Sequence, residues 1–361
     1  MNFSSALYEE HPGRFRRALA SIYGAAVNRR LARYRDGRLA VGRLAAWAVS
    51  VGNLTVGGTG KTPAAIYIAG HFKRQGLRAA MLSRGYKGRS RSPIGVVSYG
   101  ERLRMEPDAS GDEACLMARA LPGVPVLTGK DRLVLGRFAI ERFGAEALVL
   151  DDGYQHLRVA RDVNLLLLDA ARPWGNGRLL PAGPLREPRA EAARATAFLL
   201  TRVGEPTDAL EAELARDFPG RPVFRSRHRP EAWKNFHEAE TRPADGLDGR
   251  PVLAFCGLAR PEHFLTTLEG LGVNVAGFVA WPDHFQARPG DLRYLAAKAR
   301  SLGVDAAVTT AKDAVKLSGR DMAASGFPLN LWVLEIALEI IEREDEFLKL
   351  VAPPREKEAG S

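Results

Sequence analysis

The 361 residues include 46% hydrophobic and 26% charged side chains, the balance of a chain that folds around a core and not of a disordered one. Two cysteines, Cys115 and Cys256, lie far apart in apolar surroundings, which excludes a disulfide framework or a cysteine-ligated metal and fits a reducing compartment. A formal net charge of +10 calls for an anionic partner, whether nucleic acid, an anionic lipid surface or phosphorylated small molecules.

At roughly 100 to 200 residues per domain the length predicts two domains. No secretory signal is evident and no apolar run is long enough to span a bilayer, so the chain is expected to stay on one side of the membrane. The first element is basic: Arg14, Arg16, Arg17, Arg29, Arg30, Arg33, Arg35, Arg38 and Arg43 stand against one acid, Asp36. Phe15, Leu19, Ile22, Tyr23, Ala26 and Val27 recur there at helical spacing, which predicts a helix lying in an anionic membrane interface. The plainer alternative is a basic helix packed on its own domain by the same stripe. Nucleic acid is disfavoured, because no aromatic stacking platform or DNA-reading motif accompanies the arginines.

Next come short apolar runs that read as strands: 45–51, 79–83, 124–129, 147–151, 163–169 and 196–201. Several lack alternation, as strands covered on both faces do, and helical stretches at about 61–75, 112–120 and 131–143 separate them. An α/β fold follows, its sheet mostly parallel. A second αβ series begins after residue 250, with Gly272 and Gly303 at expected helix ends. The Pro-, Arg- and Glu-rich piece at about 203–250 has little periodicity and is the expected junction. RPVFRSRH and LNLWVLEIAL flank the second series and are expected to pair as a hinge. The expected division is residues 1–220, 221–335 and 336–361, the last a helix with a disordered tail.

Residues 52–63, GNLTVGGTGKTP, follow a strand and open a helix, the context a phosphate-binding P-loop requires. Backbone N–H groups of Gly57, Gly58, Thr59 and Gly60 would cradle phosphates, Lys61 would reach the outer oxygens, and Thr62 would ligate Mg2+. Thr55 stands where the strict pattern has glycine. ALVLDDGYQH sets Asp151 and Asp152 at a strand end, where P-loop proteins place an acid in the Mg2+ shell; a turn with a helix cap is the alternative. Asp112 and Glu113 open a helix, and Ser110 with Glu113 has the spacing of a capping box. WPDHFQ offers Asp283 and His284, for which a merely solvated place in a Pro-rich turn is the alternative. SRGYKGRSR, GKDR and LLPAGPLREP each offer basic side chains to an anion at the same sheet edge.

Taken in order, VGNLTVGGTGKTP, LSRGYKG, SGDEA, TGKDR, LVLDDGYQH, LLPAGPLREP, FCGLARPEHF, WPDHF and VTTAKDAVKL resemble the tetraacyldisaccharide 4′-kinase family. That family also carries threonine at the position of Thr55. The resemblance implies two α/β/α domains joined by a hinge, the first a P-loop kinase domain. It implies transfer of the γ-phosphate of ATP, with Mg2+, to the 4′-hydroxyl of a tetraacyldisaccharide 1-phosphate, forming lipid IVA in lipid A biosynthesis. The setting implied is the cytoplasmic face of the bacterial inner membrane, with the enzyme peripheral and monomeric. It assigns catalysis to Asp112, His284 and Lys61, and metal contact to Thr62, Glu113, Asp151 and Asp152. Ser83, Arg84, Tyr86, Arg132, Gln155, His156 and Glu187 fall in segments that line the family's acceptor pocket. Without the resemblance, a membrane-associated P-loop switch ATPase or a soluble small-molecule kinase remains open.

Overall fold

Helix α1 (Arg14–Arg35) precedes β1 (Trp47–Gly52), whose end turns through the glycine loop into α2 (Lys61–Arg74). There follow β2 (Ala79–Ser83), β3 (Gly95–Ser98), the short α3 (Pro107–Ser110), α4 (Asp112–Ala120), β4 (Val126–Thr128), α5 (Arg132–Phe143), β5 (Ala147–Asp151), β6 (Val163–Asp169) and β7 (Ala197–Thr201). The chain continues with α6 (Asp208–Asp217), β8 (Val223–Asn235), β9 (Thr241–Pro243), β10 (Val252–Cys256), α7 (Pro261–Gly270), β11 (Val275–Ala280), α8 (Pro289–Leu302) and β12 (Ala306–Thr310). It closes with α9 (Ala311–Ala314), α10 (Gly319–Ser325), β13 (Asn330–Ile340) and α11 (Glu344–Val351). This computed structural model describes residues 7–247, 249–283, 285–325, 327 and 330–354; His284 and tail residues 355–361 lie outside them.

The strands form one sheet in the order β11-β10-β12-β13-β8-β7-β6-β1-β5-β2-β4-β3, with β9 beside β8. Most neighbours are parallel; β3 on β4, β8 on β13 and β9 on β8 are antiparallel. The unbroken apolar runs follow from burial on both faces. Val49 and Val51 pack with Ile68 and Phe72 on one side, while Ala48 packs with Leu148 and Leu135 on the other. Strands β2 and β5 have the boundaries the sequence predicts, and α4 does too.

The piece at 203–250 differs from expectation, since it holds α6 and the thirteen-residue β8. Helix α6 buries only Leu214, so its polar sequence has no stripe to betray it. Strand β8 pairs with β7 through Val223–Arg225 and then with β13 from Ser226 to Asn235, the partnership expected of the two flanking segments. The edge strand β3, antiparallel and four residues long, was also unforeseen.

After the second αβ series the chain returns to the first. Phe347 and Val351 of α11 are fully buried in the cluster that holds Val49 and Phe224. The Phe347 ring meets the Phe224 ring edge-on at 5.2 Å, and Trp47 Nε1 donates to the Val351 carbonyl at 2.8 Å. Phe347→Ala is expected to cost about 3–5 kcal/mol of stability, the range for emptying a buried phenyl site, as read by a shifted urea midpoint with unchanged slope. A midpoint within experimental error of the parent would mean that α11 is only laid against the surface.

Candidate active site

The glycine loop joins β1 to α2. Gly60 caps α2 with φ of 80°, in the left-handed region, and a Cβ there would lie 3.0 Å from His228 Nε2. Only glycine meets both demands without strain. The loop's first half is held by a second segment: Val56 N donates to Pro184 O at 2.8 Å and Arg186 N donates to Leu54 O at 2.7 Å. Thr55 pairs with Leu185 between those bonds, so at this position the chain is extended and threonine is accommodated.

That pairing delivers Arg186 to the site. Its Nη1 bonds both oxygens of Asp152, at 3.0 and 2.8 Å. Asp152 Oδ1 also lies 3.6 Å from Lys61 Nζ, which donates to Asn53 Oδ1 at 3.2 Å. Burial alone would raise the Asp152 pKa, but Lys61 and Arg186 outweigh it and hold the carboxyl at about 2. Its φ of 48° is a left-handed conformation that aspartate tolerates better than most residues.

Asp151, its neighbour at the end of β5, is the opposite case. Fully buried, with the charges of Glu113 and Asp152 close by, it is pushed up to about 7. Ser83 Oγ donates to its Oδ2 at 3.4 Å, and its Oδ1 has no hydrogen-bond partner. A buried, unpartnered carboxylate oxygen next to two other acids is where a cation relieves strain. Among the described residues no group of three or more His, Cys, Asp or Glu could cage a metal unaided. Mg2+ does not require one, since it keeps waters and shares phosphate oxygens with one or two carboxylates. Asp151, Asp152, Glu113 and the buried Thr62 therefore fit that ion.

Asp112 begins α4 and is 4% exposed. The capping-box alternative is not formed: Gly111 occupies the cap, and Ser110 Oγ bonds Glu106 O instead. Gly111 has φ of 90°, and a Cβ on it would lie 2.4 Å from Tyr86 O, so the SRGYKG loop packs directly on the turn that presents Asp112. From the second αβ series, Gln286 Nε2 donates to Asp112 Oδ1 at 3.2 Å. His284 itself lies outside the described residues, but the segment that carries it reaches Asp112 through Gln286. Lys312 Nζ fastens the same segment through Asp283 Oδ1 at 2.8 Å.

The remaining expected residues divide. Arg132 is buried beside Asp152 and Asp151, and its backbone N–H donates to His156 Nε2 at 3.3 Å. Burial and the Arg132 charge lower His156 to about 4, so at neutral pH the ring is uncharged and Nε2 accepts. Gln155 Nε2 donates to Asn53 O at 2.8 Å. Arg84 and Tyr86 are exposed on the loop beside these groups. Glu187 is 1% exposed and paired with Arg194. Asn53 and Gln286 were not singled out from sequence, and Arg186 entered only as the basic side chain that LLPAGPLREP offers to an anion, not as the partner of Asp152.

A glycine loop, a lysine opening the following helix and paired acids at the end of the neighbouring strand β5 define a P-loop phosphotransferase. Residues 14–353 match the model of the tetraacyldisaccharide-1-P 4′-kinase family. The chain is 43% identical over 293 residues to a tetraacyldisaccharide 4′-kinase of Syntrophus aciditrophicus, covering 78% of each protein. It is 44% identical over 333 residues to that of Anaeromyxobacter dehalogenans strain 2CP-C, covering 91% of this chain and 85% of the relative. A crystal structure of LpxK from Aquifex aeolicus in complex with ATP superposes with a TM-score of 0.73 at 33% identity, over 97% of this chain and 98% of that one. The chain belongs to the tetraacyldisaccharide 4′-kinase family, ATP-binding kinases of lipid A biosynthesis.

Proposed function

We propose that this chain transfers the γ-phosphate of ATP to the 4′-hydroxyl of a tetraacyldisaccharide 1-phosphate, forming lipid IVA, with the residues named above in distinct roles. Backbone amides of Gly57, Gly58, Thr59 and Gly60 grip the phosphates, and Lys61 neutralises the β and γ oxygens. Thr62, Glu113, Asp151 and Asp152 would hold Mg2+, which would supply further neutralisation of the transferring group. Asp112 accepts the proton of the sugar hydroxyl and His284 orients it. Ser83, Arg84, Tyr86, Arg132, Gln155, His156 and Glu187 line the acceptor side. The carrying observation is the Lys61–Asp152–Arg186 cluster, a set of charges gathered at the glycine loop where a phosphoryl group would sit.

The same reading takes residues 1–220 and 221–335 as two domains, with the β8–β13 ribbon as hinge and 336–361 returning to the first. Closure of the second over the first would bring His284 to Asp112, as the Gln286–Asp112 bond supports. The enzyme acts as a monomer, peripheral on the cytoplasmic face of the inner membrane. No helix among the described residues is long and apolar enough to cross a bilayer. Helix α1 buries Ala20, Gly24 and Leu31, and turns Phe15, Leu19 and Ile22 outward at 75%, 38% and 69% exposure among its arginines. The stripe read from sequence is thus largely the outer face, which suits a lipid interface.

Transfer of label from γ-labelled ATP to a lipid disaccharide monophosphate tests the reaction. Ile22→Asp with Phe15→Ser is expected to lower co-sedimentation with vesicles of anionic phospholipid by about tenfold, while micellar activity falls much less. Equal losses in vesicles and micelles would refute the membrane role of this face.

A further inference from the structure

Helix α1 faces the membrane on one side, and on the other it touches the catalytic machinery. Two hydrogen-bond paths start there, seven residues apart on one side of the helix. Tyr23 Oη donates to the Arg186 carbonyl at 2.8 Å, and the Arg186 guanidinium grips Asp152, which faces Lys61. Arg30 Nη2 donates to the Gln155 carbonyl at 2.6 Å; Gln155 Nε2 donates to the Asn53 carbonyl at 2.8 Å; and Asn53 Oδ1 receives Lys61 Nζ at 3.2 Å. Both paths end on one lysine. The helix is also seated tightly, since a Cβ on Gly24 would lie 2.8 Å from Leu179 Cδ1, and Arg16 Nε donates to Pro181 O at 3.0 Å.

We propose that Tyr23 and Arg30 are positioning residues for phosphoryl transfer, making α1 a strut that fixes Lys61 and Asp152 in addition to any role as an anchor. This rests on the reading of Lys61 and Asp152 given above. The physical reason is that Lys61 has a long, rotatable stem, and its ammonium is aimed only by what holds Asn53 and Asp152. Asn53 and Arg186 lie on loop backbone, and each is tied back to a rigid 22-residue helix. Loss of either tie leaves the cluster formed but imprecise.

Tyr23→Phe removes one hydroxyl and neither charge nor apolar surface. In detergent micelles at saturating acceptor it is expected to lower kcat roughly five- to tenfold, the worth of one good hydrogen bond. KM for the acceptor and binding to anionic phospholipid vesicles should stay within about twofold of the parent. Arg30→Ala should lower kcat by a similar factor, and Arg30→Lys, which can still reach the Gln155 carbonyl, should recover most of it. A helix that serves only to anchor would show the reverse pattern, with KM and vesicle binding moved and kcat untouched, and that result overturns the proposal. Lys61→Ala run alongside separates the two readings. If Lys61→Ala is inactive and Tyr23→Phe turns over normally, the strut alone is wrong; if Lys61→Ala turns over normally, the site assignment beneath it falls as well.

Discussion

Lys61→Ala should lower the rate of phosphate transfer by about a thousandfold or more, the scale seen when a preorganised group facing developing charge is removed. The side chain is only 12% exposed, so its charge is poorly screened, and it is aimed by Asn53 and Asp152 rather than left to find its position. Phosphoryl transfer has a loose transition state with charge spread over the equatorial oxygens, and charge neutralisation carries most of the catalysis. Lys61→Arg should rescue little, because a planar fork cannot occupy the space of a compact ammonium between those two partners. The measurement is single-turnover transfer of labelled phosphate, with thermal melting to confirm that the variant is folded. A folded variant within tenfold of the parent rate would remove Lys61 from the mechanism.

Asp112→Asn should lower kcat by roughly 10²- to 10⁴-fold, with ATP affinity little changed. Asparagine matches aspartate in shape and can still accept from Gln286 through its Oδ1, so the change removes the proton acceptor with little loss of packing. The carboxylate sits at the first turn of α4. A sugar hydroxyl does not ionise at neutral pH, and its proton needs a destination as the new bond forms. Burst kinetics and equilibrium ATP binding together distinguish a lost base from a lost binding group. A rate near that of the parent would transfer the role of base to another group.

What the sequence discloses here depends on the range of the interaction. The buried parallel strands are legible because burial on both faces makes them unbroken apolar runs, and the glycine loop is legible because strand, glycines, lysine and helix are contiguous. Asp151 and Asp152 could be marked from their position at a strand end, whereas Asp112 fitted a helix-start role equally well and was assigned catalysis only through the family resemblance. Arg186 was read as a basic side chain offered to an anion, but its grip on Asp152 could not be foreseen, because it depends on Pro184–Arg186 pairing with Leu54–Val56, about 130 residues earlier in the chain. Glu187, next to it, meets different partners, as successive residues of an extended segment do: Arg186 grips Asp152 while Glu187 is buried against Arg194. Helix α1 shows a different limit. Its periodicity is plain, but the face that packs inward uses the small residues Ala20 and Gly24, and hydrophobicity alone directed attention to the larger outward side chains.

The return of α11 bears on how the chain is made. A ribosome releases the P-loop half first, yet the cluster that Phe347 and Val351 complete joins Val49, Ile68 and Phe224 of that half to Val315, Leu338 and Ile340 of the second. A chain lacking residues 344–351 would leave that cluster open to water, and would expose an apolar cleft of the kind that chaperones bind and that drives misassembly.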